Sequence, residues 1–185
     1  MYLQLNAIVA DLRSAERRLR ALQERVPPDA WSQRPAPERW SPAECVAHLN
    51  LTSEAFLPLL RKGLEDARRL GRSQVRYRRD LFGWLIWRIV SPSGRFKTRT
   101  AAAFVPSRDQ PAHALVAEFE RLQAEVIACV RAAEDVPIDR VKLVSPFDAR
   151  ARYNLYAAMT IIPRHQHRHL LQAERAVGPT AAART

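Results

Sequence analysis

The sequence predicts an all-α protein: a four-helix bundle with an inserted, partly ordered segment between its second and third helices. Apolar residues recur at helical spacing over four long segments, and each segment is bounded by capping or breaking residues. Strand-like alternation is nearly absent. The 185 residues, 47% hydrophobic and 26% charged, supply enough apolar side chain for a core and exclude wholesale disorder.

The first helix is expected from about Tyr2 to Val26. Leu5, Ile8, Val9, Leu12, Leu19, Leu22 and Val26 repeat at helical spacing, and Pro27 and Pro28 forbid continuation. The second helix opens at Ser41, an N-cap serine followed by Pro42 at the first helical position and Glu44 at the third. It is expected to reach about Leu70, with Gly71 just beyond. The third opens near Pro111, sets Leu115, Phe119, Leu122, Val126 and Val130 on one face, and stops before Pro137. The fourth runs from about Tyr153 to Val177 and closes at Gly178 and Pro179. Residues 1–178 are therefore expected to form one domain, with an insertion over 72–110 and a frayed tail over 179–185.

Within the insertion, Leu81 to Val90 is apolar all round rather than striped. That pattern points to burial against the bundle or against a second copy of the chain, and a homodimer is expected. Trp84 and Trp87 fit such a buried surface better than a base-stacking platform, because no aromatics alternate with the arginines. The formal charge of +11 is uneven: residues 1–60 carry 7 basic and 7 acidic side chains, and 109–185 carry 10 and 9. Residues 61–108 carry 13 and 3, a local excess of +10. These arginines form two groups, Arg72 to Arg79 and Arg95 to Arg108. They are expected either to serve the chain's functional site, framing its cleft for carboxylate- or phosphate-bearing molecules, or to make a solvated basic face. Nucleic-acid binding is not expected, since no helix-turn-helix spacing accompanies the charge.

Two cysteines, Cys45 and Cys129, exclude a disulfide framework and a multi-cysteine zinc module. The opening residues show no secretory-signal pattern, and the longest apolar run is about half of the ~20 residues a membrane span needs. No transmembrane segment and a cytoplasmic location are expected.

The chemistry lies in the histidines. His165 and His169, four residues apart on the fourth helix, are neighbours above an apolar stripe of Ile162, Met159 and Leu155. His167 is expected on the opposite, solvated side, and His113 exposed at a helix start. A pair at this spacing can present two imidazoles to one metal ion, and His48 on the second helix is the candidate third ligand. The residues alone leave a second reading open, in which a carbonyl or carboxylate satisfies each ring. A zinc-peptidase helix is excluded, because Gln166 stands where such a helix carries its glutamate base. Cys45, three residues before His48, reads as a small buried side chain, as does Cys129. Ser145 has no constellation that would make it a nucleophile.

The segment RWSPAECVAHLNLTSEAFLPLL resembles the second helix of the DinB-like superfamily, with His48 at the metal-histidine position. The segment RHQHRHLLQAERAV resembles its last helix through His165, Arg168, His169, Gln172 and Ala173. AFVPS (103–107), RVKLVSPF (140–147) and Tyr153-Asn154-Leu155 resemble loops of one branch. The resemblance implies a usually dimeric four-helix bundle with a divalent metal, zinc or nickel, on His48, His165 and His169. It also implies a small-molecule reaction, either hydrolysis or transfer to a low-molecular-weight thiol such as mycothiol or bacillithiol. Two departures stand out. Pro163 lies two residues before His165 and is expected to kink or restart the helix, and Gln166 replaces an often acidic residue near the metal. Glu44 is the only evident general base, which favours thiol transfer, where none is needed. A non-enzymatic module binding an anionic partner (nucleic acid or a membrane surface) through the insertion is the alternative from another class.

Overall fold

A computed structural model of the chain describes residues 3–72, 76–92, 100–106 and 110–177. Five helices, α1 (Leu3–Arg25), α2 (Pro42–Arg69), α3 (Leu81–Ile89), α4 (Ala112–Arg131) and α5 (Leu155–Val177), are joined by two 3-10 turns, Pro28–Ser32 and Ala102–Phe104. A short hairpin of β1 (Lys142–Val144) and β2 (Arg152–Asn154) precedes α5. The four long helices are the four expected from periodicity, and α3 is the ordered part of the insertion. Gly178, Pro179, the tail 179–185 and the second group of basic residues (Arg95, Lys97, Arg99, Arg108) lie outside the described residues. No helix among the described residues is long and apolar enough to cross a membrane.

α1 and α2 each pack against α4 and α5, so α1 faces α2 across one diagonal of the bundle and α4 faces α5 across the other. The apolar interior is divided in two. One cluster holds Leu12, Leu60, Val126, Leu155 and Ile162; the second holds Leu19, Trp31, Leu49, Phe119 and Leu170. Between them lies a buried polar layer. Gln123 and Gln166 exchange amide hydrogen bonds of 3.1 and 2.8 Å across the bundle centre, and Gln123 Nε2 also donates to the Leu12 carbonyl at 2.6 Å. Gln166 is thus turned away from the histidines and carries no role beside them. A glutamate there would remove the donor that completes the pair.

The fourth bundle helix begins two residues later than expected, at Leu155, because Tyr153 and Asn154 belong to β2. Lys142 pairs with Asn154, Leu143 with Tyr153 and Val144 with Arg152. Strands of three residues are too short for alternation to register in the sequence. Asn154 then caps the helix, its Oδ1 accepting from the Ala157 N–H at 2.8 Å. Contrary to expectation, α5 does not restart at Pro163 but runs unbroken through it, with that ring buried. Packing on both flanks, by α1 and α2, outweighs the ~3 kcal/mol an interior proline costs.

α3 is capped by Asp80, whose side chain accepts from the Gly83 N–H at 3.0 Å. It is only half buried. Ile86, Trp87 and Val90 pack on the bundle, while Leu81, Phe82, Trp84 and Leu85 are 82, 43, 44 and 45% exposed. Arg168 on α5 closes its far end, donating to the Ile89 carbonyl at 2.9 Å. Gly83 is the close-approach point: a methyl group there would collide with Cβ of Ala157 and lie 2.7 Å from Oδ1 of Asp80. Gly83→Ala is therefore expected to push α3 off α5 and to cost about 1–3 kcal/mol. Urea unfolding followed by tryptophan fluorescence measures this, and an unchanged midpoint would mean that α3 docks otherwise.

Candidate metal centre

The start of α2 is held by an interlocked set of polar bonds. Ser41 Oγ accepts from the Glu44 N–H at 3.2 Å, and Glu44 Oε2 accepts from the Ser41 N–H at 2.9 Å, the reciprocal capping box the sequence implies. Arg34 grips the same carboxylate, with Nε 2.8 Å from Oε2 and a second nitrogen on Oε1. Burial alone would raise the Glu44 carboxyl, but the hydrogen bond and charge of Arg34 and the Ser41 N–H hold it below the usual carboxylate range. Glu44 is committed to the fold and is not a free general base. One turn on, the buried His48 enters the bundle interior from α2.

α5 supplies the other two rings. One ligand nitrogen from each of His48, His165 and His169 lies within 4.8 Å of the other two. His48 Nε2 is 3.4 Å from His165 Nε2, and the ring centroids of His169 lie 4.5 Å from those of both others. Among the described residues no carboxylate or thiol joins the set. Two rings have their outer nitrogen engaged. His48 Nδ1 donates to the Phe104 carbonyl at 2.9 Å, and His169 Nδ1 donates to Gln172 Oε1 at 3.1 Å. A ring that donates from Nδ1 keeps its Nε2 lone pair for the interior. Burial pushes all three imidazoles below the ordinary histidine value: His48 against the opposing Phe104 bond, His165 far down, and His169 to about 3. For the last two, neighbouring rings and Arg168 add to burial. All three are therefore neutral at pH 7, the form that binds metal.

The donor set fits a divalent ion. Two nitrogens on one tetrahedral zinc, each at about 2.0–2.1 Å, stand about 3.3–3.4 Å apart, the separation found between His48 and His165. Three neutral imidazoles would leave a coordination position open, as catalytic sites do. Aromatic walls surround them. Trp40 stands 5.0 and 5.9 Å from the His48 and His169 rings, and Phe147 stands 5.9 Å from His165 and 4.8 Å from Phe104.

A family model described as the DinB superfamily matches residues 11–173, a span that includes all three histidines. The chain belongs to the DinB superfamily. No curated protein and no solved structure gives a match. In this DinB member both histidine segments singled out in the sequence meet at one point, as the resemblance implies.

The other residues considered lie elsewhere. His113 is exposed. His167 is half buried rather than solvated, with Nε2 3.2 Å from the Asp11 carbonyl and Nδ1 3.5 Å from Arg18. Its position across α5 from the other two rings is as expected. Cys45 and Cys129 are buried in the core, and burial raises both thiols. Ser145 Oγ accepts from the Phe147 N–H at 3.3 Å, so it sets the aromatic wall. Neither the Phe104 carbonyl nor the two phenylalanine walls had a role in the sequence reading. AFVPS and RVKLVSPF were the signal, but a backbone acceptor cannot be read from residue type.

The Glu44 environment has a pH consequence. Because its folded pKa is lowered, its contribution to stability is present above about pH 4.3 and is lost as pH falls through the folded value. Glu44→Gln is expected to lower stability by about 1–3 kcal/mol at pH 7, with the gap from wild type closing in acid. Urea unfolding of both proteins at several pH values checks the sign.

Proposed function

We propose that His48, His165 and His169 hold one divalent metal ion, zinc or nickel, and that the protein is a small-molecule enzyme. The reaction it fits best is transfer to a low-molecular-weight thiol of the mycothiol or bacillithiol class, with hydrolysis as the runner-up. One observation carries the reading: the outer nitrogens of His48 and His169 are donated away, to Phe104 and Gln172, leaving their inner lone pairs beside His165.

A bound divalent ion would lower the pKa of a water or thiol in its open position and polarise an electrophile. The chain's own residues do the rest. The Phe104 carbonyl and Gln172 lock the tautomer and orientation of the rings, contacts whose loss typically weakens metal binding about 10- to 100-fold. Trp40, Phe104 and Phe147 form apolar walls against which a small organic substrate can lie away from water. Thiol transfer is favoured because Glu44, the base a hydrolytic step would draw on, is occupied by Arg34 and the helix cap.

His169→Ala is expected to abolish stoichiometric metal binding, whereas His167→Ala keeps it. Elemental analysis and calorimetry on protein purified without a nickel column read both, and equal retention would overturn the ligand set. Gln172→Leu should keep one metal per chain with the weakened affinity given above.

The exposed face of α3, with Leu81, Phe82, Trp84 and Leu85, further supports a homodimer. Light scattering at micromolar concentration should give twice the 21.1 kDa chain mass, and Trp84→Glu should give the monomer. A monomeric wild type would refute the dimer.

A further inference from the structure

Across α5 from the histidines lies a cavity of about 460 Å³, bounded by α1, the end of α3 and α5. None of the three clustered histidines lines it. Its size falls within the range of small-molecule sites. Two guanidinium groups converge on it. Arg79 Cζ is 4.3 Å and Arg164 Cζ 3.7 Å from the ring centroid of Trp87, which also lines the cavity.

The two cations are poorly compensated. Arg79 donates from Nε to Thr160 Oγ1 at 2.8 Å, and Arg164 donates to Ser91 Oγ at 2.9 Å; both acceptors are neutral hydroxyls. Arg164 Nε is shielded from solvent and has no acceptor. Among the described residues neither arginine has a carboxylate within ion-pair distance. Arg18, a third cation in the wall, is neutralised by Glu174 through bonds of 2.5 and 2.6 Å, and Asp11, which also lines the cavity, is exposed. Burial shifts both Arg79 and Arg164 below the ordinary arginine value; for Arg164 the charges of Arg79 and Arg88 add to the effect, and the exposed Asp11 carboxylate opposes it only in part, at a distance beyond an ion pair. Both stay charged at neutral pH. Two partly buried like charges with unused donors are an arrangement that a bound oxyanion would relieve, since guanidinium groups bond carboxylate and phosphate in pairs.

We infer that this cavity binds a small organic oxyanion, a carboxylate or phosphate ester, with its charged group between Arg79 and Arg164 and its carbon skeleton against Ile8 and Tyr156. The site is independent of the proposed metal. The cleft beside Arg79 is not the one the histidines face, which the insertion's arginines were expected to serve.

The test is calorimetric titration of the whole protein, after chelator treatment and at constant ionic strength, with phenyl phosphate and with benzoate. Saturable binding of at least one probe is expected; preference for phenyl phosphate identifies a phosphate site, and preference for benzoate a carboxylate site. Arg79→Met and Arg164→Met should each weaken binding about 10- to 100-fold, the loss of a charge-assisted bond. Arg131→Met, at the exposed end of α4 and outside the cavity, should not. Should the methionine variants fail to fold, Arg79→Lys and Arg164→Lys keep the charge but lose the paired donors, and are expected to bind more weakly than wild type. His169→Ala should bind as wild type does, which separates this site from the metal reading. Absence of saturable binding, or equal affinity in the wild type and the arginine variants, would overturn the proposal, and dependence on His169 would move the anion to the histidines.

Discussion

The buried amide pair between Gln123 and Gln166 decides how α5 is rotated about its axis, and the chemistry of the molecule follows from that rotation. Both amides are almost fully buried, and each needs the other for its donor and acceptor. With Gln166 aimed at the bundle centre and about 100° between successive residues, His165 and His169 fall together on the flank toward α2. Thr160, Pro163 and His167 fall on the opposite flank, toward α1. A slip of one residue would bury an imidazole in the polar layer and break the approach to His48. The pair therefore works as a register device in a core otherwise filled by interchangeable aliphatic side chains.

A second constraint acts on the rings themselves. An imidazole placed on a helix is still free to turn about its own bonds, and a useful ligand must show the correct nitrogen to the interior. His48 is fixed by the carbonyl of Phe104, which arrives from a 3-10 turn at the end of the insertion, and His169 by Gln172, one turn along the same helix. The insertion is thus part of the histidine site rather than an appendage. Its other ordered piece, α3, is bound to α5 by Arg168 at its carboxyl end and by the stacking of Arg164 on Trp87, and Arg79, just before α3, reaches Thr160 of α5. The same helix that carries the histidines therefore holds the insertion in place.

The apolar stretch of α3 shows where a sequence rule reaches its limit. A helix apolar all round reads as buried all round. Here the side carrying Ile86 and Trp87 meets the bundle, and the side carrying Phe82, Trp84 and Leu85 does not. Composition distinguished this segment from its surroundings but could not say which face had an intramolecular partner.

The four long helices were legible because their signals are local: repeats at helical spacing, the Ser41–Glu44 capping box, and prolines at the breaks. The three histidines were legible as residue types at a recognisable spacing, reinforced by the family resemblance. The hairpin was not, because three-residue strands are too short to show a period. Nor was the unbroken passage of α5 through Pro163, where packing from both flanks overrides a local penalty. Glu44 read as a free base, since nothing in the sequence announces that Arg34 will fold back onto it. By itself the sequence determined which segments are helical and which side chains are able to bind a metal. Only the tertiary structure decided which of them meet, which nitrogen His48 and His169 turn inward, and where two arginines stand without an ion-paired carboxylate among the described residues. Convergence and charge balance depend on contacts between residues such as His48 and Phe104 or Arg34 and Glu44, and helix packing and loop paths, not spacing along the chain, set those distances.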